Sequence, residues 1–328
     1  MNKGFFVPQE IAEKLIDVVN AAMKNRELNL GLFLDKYVLW WKERDKLMCD
    51  PGVQIAFLRK IESNPQDVKN KIKDINLRGR KFREAILRNE RLSIPEKAFP
   101  SLNKYYEPYR KRIRYLIKIL SQTGFHAKFL PKNGGLSLNW RLIINLGATS
   151  VYETSLLFHR NYSIPYIPGS AVKGVTRHWA IQKFAEAHQK SAGKIAVSLE
   201  KGEDLEISVD GITFRDIIDI FGTLDKKGEV IFLDALPIFD ENKDFIILDI
   251  MNVHYRPYYE KSEVPGDWHS PTPIFFLAIE KGTKFKFALA SRSEDLVEKT
   301  ASLLKEALVN FGIGAKSSSG YGYFKILK

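Results

Sequence analysis

The chain has 328 residues, 45% apolar and 27% charged, enough to bury a sizeable core in an ordinary globular composition. No run approaches 18 apolar residues and the first residues lack the apolar stretch of a signal peptide. Cys49 is the single cysteine, which excludes a disulfide framework and a cysteine-based zinc site. A cytoplasmic protein with no membrane partner and no cofactor is expected. The net charge of +12 is unevenly spread: residues 1–130 hold 27 Lys and Arg against 15 Asp and Glu, whereas 131–328 hold 24 of each. A polyanion or an acidic neighbour docked on the N-terminal part would match that polarity, with a merely solvated basic surface as the competing reading. Nucleic acid is favoured over a membrane, because no basic stretch carries the aromatic and leucine face of an interfacial helix.

The first 130 residues read as helices. Ile11, Leu15, Val18 and Val19 form one amphipathic face, and Leu28–Trp41 is a second, strongly apolar segment. Asp67–Arg91 carries apolar residues at helical spacing among six arginines and lysines between Arg78 and Arg91. Tyr109–Leu120 sets Ile113, Leu116, Ile117 and Leu120 beneath Arg110, Lys111, Arg112, Arg114 and Lys118. Tyr105, Tyr106 and Tyr109 precede that basic helix and could stack on bases or be buried.

From residue 131 the pattern becomes mixed. Asn133-Gly134-Gly135 introduces a strand at Leu136–Leu146, and a long loop, 147–168, follows with His159, Arg160 and Tyr162. A helix is predicted over 169–189, started by Pro168 and Ser170. Ser191–Asp210 reads as a surface insertion, Thr213–Phe221 as a short helix, and 229–239 and 245–250 as strands. Residues 251–272 are irregular, and a hairpin is predicted to join 274–279 to 284–290. A helix at 293–311, a glycine-rich loop and a strand at 320–327 end the chain.

Stripped of insertions at about 191–212 and 240–272, the order is strand, helix, strand, strand, helix, strand. The expected fold class is α+β: a ferredoxin-like, RNA-recognition-motif-like βαββαβ domain over 131–328, with a basic helical region, 1–130, packed on it. The glycine loop, Gly312-Ile-Gly-Ala-Lys-Ser-Ser-Ser-Gly320-Tyr-Gly322, follows a helix and precedes a strand. That inverts the order of a phosphate-cradling P-loop, and no dinucleotide fingerprint fits. Its glycines allow close backbone approach to a polymer and Lys316 supplies a cation; a tight helix-to-strand connection is the alternative.

Several stretches together carry a resemblance. The glycine loop is similar to the C-terminal G-rich loop of the RAMP superfamily of CRISPR proteins. Ile164-Pro-Tyr-Ile-Pro-Gly-Ser-Ala-Val-Lys-Gly174 resembles the entry to the first helix in the backbone-forming members. Ile220-Phe-Gly222, Gly228 to Pro237, Leu248 to Tyr255 with Tyr258-Tyr259, and Pro265 to Pro273 fall in the order seen in the sixth-subunit family of the Cmr (type III-B) effector complex. Asn29 to Tyr37 fits that family's N-terminal region. The resemblance implies an RNA-recognition-like domain packed in a filament of related Cmr subunits, near the 3′ end of a guide RNA. Such a complex binds target RNA by base pairing while other subunits cut it, so this chain needs only backbone and shape contacts.

The RNA-cutting relatives place a metal-assisting aspartate in the loop before the helix-entry segment. Here residues 147–163 hold no aspartate, and Glu153 is their one carboxylate. The expectation is therefore no catalytic residue and no metal site. Acid–base cleavage through His159 or Glu153 is the enzymatic alternative, and a protein-interaction subunit that never touches RNA is the other. His254 and His269, near Asp249 and Asp267, match no helix-based metal motif. The predicted RNA contacts are Lys173, Arg177 and Lys316 to phosphates, Gly312, Gly314, Gly320 and Gly322 through backbone approach, and His159 and Arg160 on the neighbouring loop.

Overall fold

In a computed structural model of the chain, the described residues are 9–25, 41–43, 46–48, 64, 66, 107–132, 134–148, 154–162, 164–238, 245–260 and 262–325. Most of the apolar segment 28–41, the basic stretch 67–91, Tyr105, Tyr106, Asn133 and Glu153 lie outside them.

In chain order, helix α1 (Gln9–Lys24) is followed by strands β1 (Trp41–Glu43) and β2 (Lys46–Met48), then helix α2 (Glu107–Gln122). Strands β3 (His126–Leu130) and β4 (Leu136–Leu138) lead to helices α3 (Gly169–Ala187) and α4 (Ala192–Lys201). Strands β5 (Ser208–Val209) and β6 (Ile212–Thr213) precede helix α5 (Phe214–Phe221), which is followed by β7 (Ile231–Phe232) and β8 (Leu236–Ile238). Next come β9 (Ile246–Val253), the single turn α6 (Arg256–Tyr259), β10 (Thr272–Ile279), β11 (Lys284–Ser291), helix α7 (Glu294–Asn310), a 3-10 turn at Ser317–Ser319, and β12 (Phe324–Lys325). Three helices start at a side-chain cap: Ser191, Thr213 and Ser293 each accept a hydrogen bond from the backbone N–H three residues on, and Asp216 completes a capping box on α5.

The chain divides into two compact units. One comprises residues 1–106, 145–164 and 241–279, the other 107–144, 165–240 and 280–328. In the first, α1 buries Ile16, Val19 and Met23 along one stripe. The strands β9 and β10 pair antiparallel over their full length, from Ile246 opposite Ile279 to Val253 opposite Thr272. The end of this ribbon at Phe245–Ile247 and Phe276–Ile279 is buried, whereas Ile250, Tyr258, Tyr259 and Trp268 are exposed.

The second unit is built on β11. One edge of β11 pairs with β3, from Phe287–Leu130 to Ser291–His126, and with β4 at Lys284–Ser137 and Phe285–Leu136. Its other edge pairs with β7 and β8. All these pairings are antiparallel, and β12 joins antiparallel to β4 at Phe324–Leu138. The strands β3 and β4 thus act as two halves of one strand, and β7 and β8 as halves of another. Alternation puts Phe285, Phe287 and Leu289 on one side, where Phe324 meets both phenylalanines edge-to-face at 6.0 and 5.5 Å. Helices α3 and α7 pack on the sheet and on each other. They bury Val172, Ala180, Ile181 and Phe184 from α3, and Val297, Leu303, Leu304 and Leu308 from α7. Trp179 Nε1 and Lys183 Nζ both donate to Glu306 Oε2, at 2.9 and 2.7 Å, and tie the two helices at their border.

The structure corrects several sequence expectations. The strand predicted over 136–146 stops at Leu138, because the next residues have other partners: Asn139 N donates to Tyr323 O, and Arg141 O and Ile143 O accept from Gly322 N and Ala315 N. The apolar Leu142, Ile143 and Ile144 are all buried in that docking, not alternating on a pleat. Strand β3, unassigned from the sequence, takes the pairing that the lost half would have made. The predicted hairpin between 274–279 and 284–290 is absent among the described residues, since β10 pairs with β9 and β11 with β3, β4, β7 and β8. Residues 191–210 are more than a surface insertion, because Ile195 and Leu199 of α4 are fully buried.

Candidate nucleic-acid interface

The start of α3 is held by a residue 65 positions away. Pro168 offers no side-chain cap, and the carboxylate of Asp234 replaces one: its Oδ1 accepts from Gly169 N at 2.8 Å. Ile167 and Ala235 exchange both backbone hydrogen bonds, at 3.0 and 2.8 Å, and so fix the approach of the two segments. Only glycine fits at 169, because a Cβ there would lie 2.2 Å from the Phe232 carbonyl oxygen. Tyr109 of α2 donates its hydroxyl to Asp234 Oδ2 at 3.4 Å. Burial, and secondarily the Asp234 charge, push the Tyr166 hydroxyl above its ordinary pKa.

One turn into α3, Lys173 and Arg177 are successive along one face. Burial first, then Arg177 and Lys227, lower the pKa of Lys173, so three cations converge here. Arg177 Nη2 is 3.1 Å from Glu200 Oε1 of α4, which offsets part of that charge. Lys227 comes from the turn between Gly222 and Gly228, whose backbones pack so closely that a Cβ on Gly222 would lie 2.4 Å from Gly228 N. The sequence reading missed Lys227, although it lies beside the Gly228 motif.

The glycine loop serves mainly the chain's own packing. Gly314 (φ 96°) and Gly322 (φ 77°) are left-handed, and a Cβ would meet Ile143 O at 2.3 Å and Ile313 O at 1.9 Å. The amides of Ile313, Ala315 and Gly322 donate to Gly322 O, Ile143 O and Arg141 O, at 2.9, 2.9 and 2.8 Å. Gly312 is buried, with its would-be Cβ against Tyr323, while Gly320 faces open space. The exposed residues of the loop are Gly314 and Ser318-Ser319-Gly320, with Lys316 half-exposed in a left-handed conformation at the turn before the latter. His178 and Trp179 of α3 pack on Phe311 at 5.0 and 5.2 Å, which joins this loop to the helix that carries Lys173 and Arg177. Phe324 is core; Tyr321 and Tyr323 are half-buried beside it.

His159 and Arg160 belong to the other unit. His159 N donates to Ile164 O at 2.8 Å, its Nδ1 accepts from Asn161 N at 3.3 Å, and its ring lies 4.7 Å from Tyr162. The last two contacts join the imidazole to its own turn. In the β9–β10 connection, Tyr255 donates its hydroxyl to Asp267 Oδ1 at 3.3 Å and His269 Nε2 lies 2.9 Å from Val264 O. Among the described residues, no group of three or more His, Cys, Asp or Glu is placed to hold a metal ion, and no helix is long and apolar enough to cross a membrane.

Comparison with known proteins gives this geometry a setting. Residues 141–325 match the family model of the RAMP superfamily. The chain is 34% identical to the CRISPR system Cmr subunit Cmr6 of Pyrococcus furiosus over 94% of its own length and 98% of that protein. It is 25% identical to Cmr6 of Saccharolobus solfataricus, over 79% of this chain and 76% of that one. Its fold is similar to a chain in a cryo-EM structure of the type III-B Cmr-β complex bound to cognate target RNA. That match has a TM-score of 0.50 at 18% identity and covers 96% of this chain and 90% of that one.

Proposed function

The chain belongs to the RAMP superfamily, and from that membership we propose that it is a non-catalytic, RNA-binding structural subunit of a type III-B CRISPR effector ribonucleoprotein. In this reading it sits near the 3′ end of the guide RNA in the cytoplasm, contacts guide and target RNA and other Cmr subunits, and supports target recognition in antiviral defence. The observation that carries the reading is the end-to-end likeness to Cmr6. The sheet order β12, β3/β4, β11, β7/β8, with α3 and α7 as the two crossovers, supports a ferredoxin-like arrangement of the core.

Lys173, Arg177 and Lys227 form a cationic patch without base-reading geometry, which suits phosphate contacts in a complex whose guide reads the sequence. Lys316 and the Gly320 rim, on the loop that follows Phe311, are further phosphate contacts in this reading. An anion bound at the Lys173 patch would offset, by its opposite charge, the burial and repulsion that depress Lys173. The internal hydrogen bond of His159 supports a structural role for it.

The test is retardation of end-labelled single-stranded RNA by the purified chain with Mg²⁺ across a salt series. Intact RNA released as salt rises is expected, and the K173E/R177E/K316E variant should bind at least about tenfold more weakly with a salt slope shallower by about 2. Discrete fragments, abolished by H159A or E153A, would make the chain a nuclease. Absent RNA binding by a chain that still joins its complex would make it a protein-interaction subunit.

A further inference from the structure

Helix α2 meets three different surroundings. Tyr109 is buried, and Ile113, Ile117 and Leu120 continue that side at helical spacing. On one flank Arg110 and Arg114 border Lys286 of β11, whose ammonium is pushed down by burial first and then by these two guanidiniums. The third face is turned outward, with Tyr115 64%, Leu116 38% and Ile119 38% exposed. On a helical projection Tyr115 and Ile119 lie roughly 40° apart, with Lys111 and Lys118 on one side of them and Arg112 and Leu116 on the other. Lys111, Arg112 and Lys118 are exposed too. Among the described residues, the acid paired with a cation of this helix is Glu107, and it takes Arg110 on the inner flank. An apolar strip framed by cations is therefore left open.

We propose that this outward face of α2 docks an acidic protein surface with an apolar centre on an adjoining subunit of the same ribonucleoprotein, an inference that rests on the function proposed above. RNA would neutralise the cations but leave Leu116 and Ile119 in water, whereas a protein can cover both. Tyr and Arg at the centre of such a patch are the residue types that dominate protein interfaces. A second copy of this chain is disfavoured, because a two-fold contact would set Lys111, Arg112 and Lys118 against their own counterparts. The acidic complement supplies what the helix lacks: opposite charge around an apolar centre.

The experiment uses the full-length chain and two variants, Y115S/I119S and R112E/K118E. Each is mixed, without RNA, with the separately purified other subunits of its own complex, and its incorporation is measured by size-exclusion chromatography and by titration. Both variants should incorporate at least about tenfold more weakly while their affinity for single-stranded RNA stays within about twofold of the parent. Unchanged incorporation overturns the proposal. So does a tenfold loss of RNA affinity with incorporation intact, which would make RNA the occupant. Concentration-dependent self-association abolished by the variants would make it a second copy, again overturning it. If Y115S/I119S does not fold by circular dichroism, R112E/K118E decides, since both of its side chains are exposed in the parent. A parent chain that neither incorporates nor binds RNA removes the function reading itself, a result distinct from failure of the variants alone.

Discussion

Replacing Asp234 by alanine removes the acceptor at the start of α3 without touching any residue of that helix. The carboxylate takes the Gly169 N–H at 2.8 Å and the Tyr109 hydroxyl at 3.4 Å, from a half-buried position between β7 and β8. A hydrogen bond to a charged group is worth about 1.5–3 kcal/mol, and a carboxylate at a helix N-terminus adds about 0.3–1 kcal/mol. Water can replace part of this at a half-buried site, so D234A should lose about 2 kcal/mol in urea unfolding. Amide exchange at Gly169–Lys173 should accelerate in the same variant, because local opening of the first turn becomes easier. D234N keeps an oxygen facing Gly169 but no charge, and should lose only about 1 kcal/mol. An alanine variant within about 0.5 kcal/mol of the parent, with unchanged exchange in the first turn, would refute the view that this residue holds α3 in place.

The glycine loop gives a paired test. G322A places a Cβ 1.9 Å from Ile313 O at φ 77°, whereas G320A meets nothing within 4 Å at φ 89°. Thermal unfolding should show a loss of about 3 kcal/mol or more for G322A and about 1 kcal/mol for G320A. The acid limb of stability should depend on Asp216. Burial raises its pKa, but hydrogen bonds from Lys299 and Thr213 outweigh that and hold it below the ordinary carboxylate value. A carboxyl depressed in the folded state contributes stability at pH values above its unfolded pKa of about 3.9, and that stability is lost as pH falls through the folded pKa. Urea midpoints measured between neutral pH and pH 3 should therefore fall more steeply for the parent than for D216N, and parallel curves would sink the assignment.

Sequence alone determined the parts whose signal is local. Start signals at Pro168 and Ser170 placed one core helix at 169–189 and leucine periodicity placed the other at 293–311, against 169–187 and 294–310 observed, and the strand expected at 284–290 is β11 to within one residue, although its predicted hairpin partner was wrong. The family was legible because its motifs keep their order along nearly the whole chain. Lys173 and Arg177 were legible as neighbours because four residues make about one helical turn. Tertiary structure decided the rest. The Leu142–Ile144 run has a strand-like composition, yet it docks on the glycine loop, and the loop's glycines at 314 and 322 answer to that contact. Lys227 joins Lys173 and Arg177 from 50 residues further along, and Asp234 caps a helix 65 residues upstream. Periodicity records which face of an element is buried. It holds no record of which distant segment covers that face, because the partner is chosen by packing and hydrogen-bond satisfaction across the folded chain.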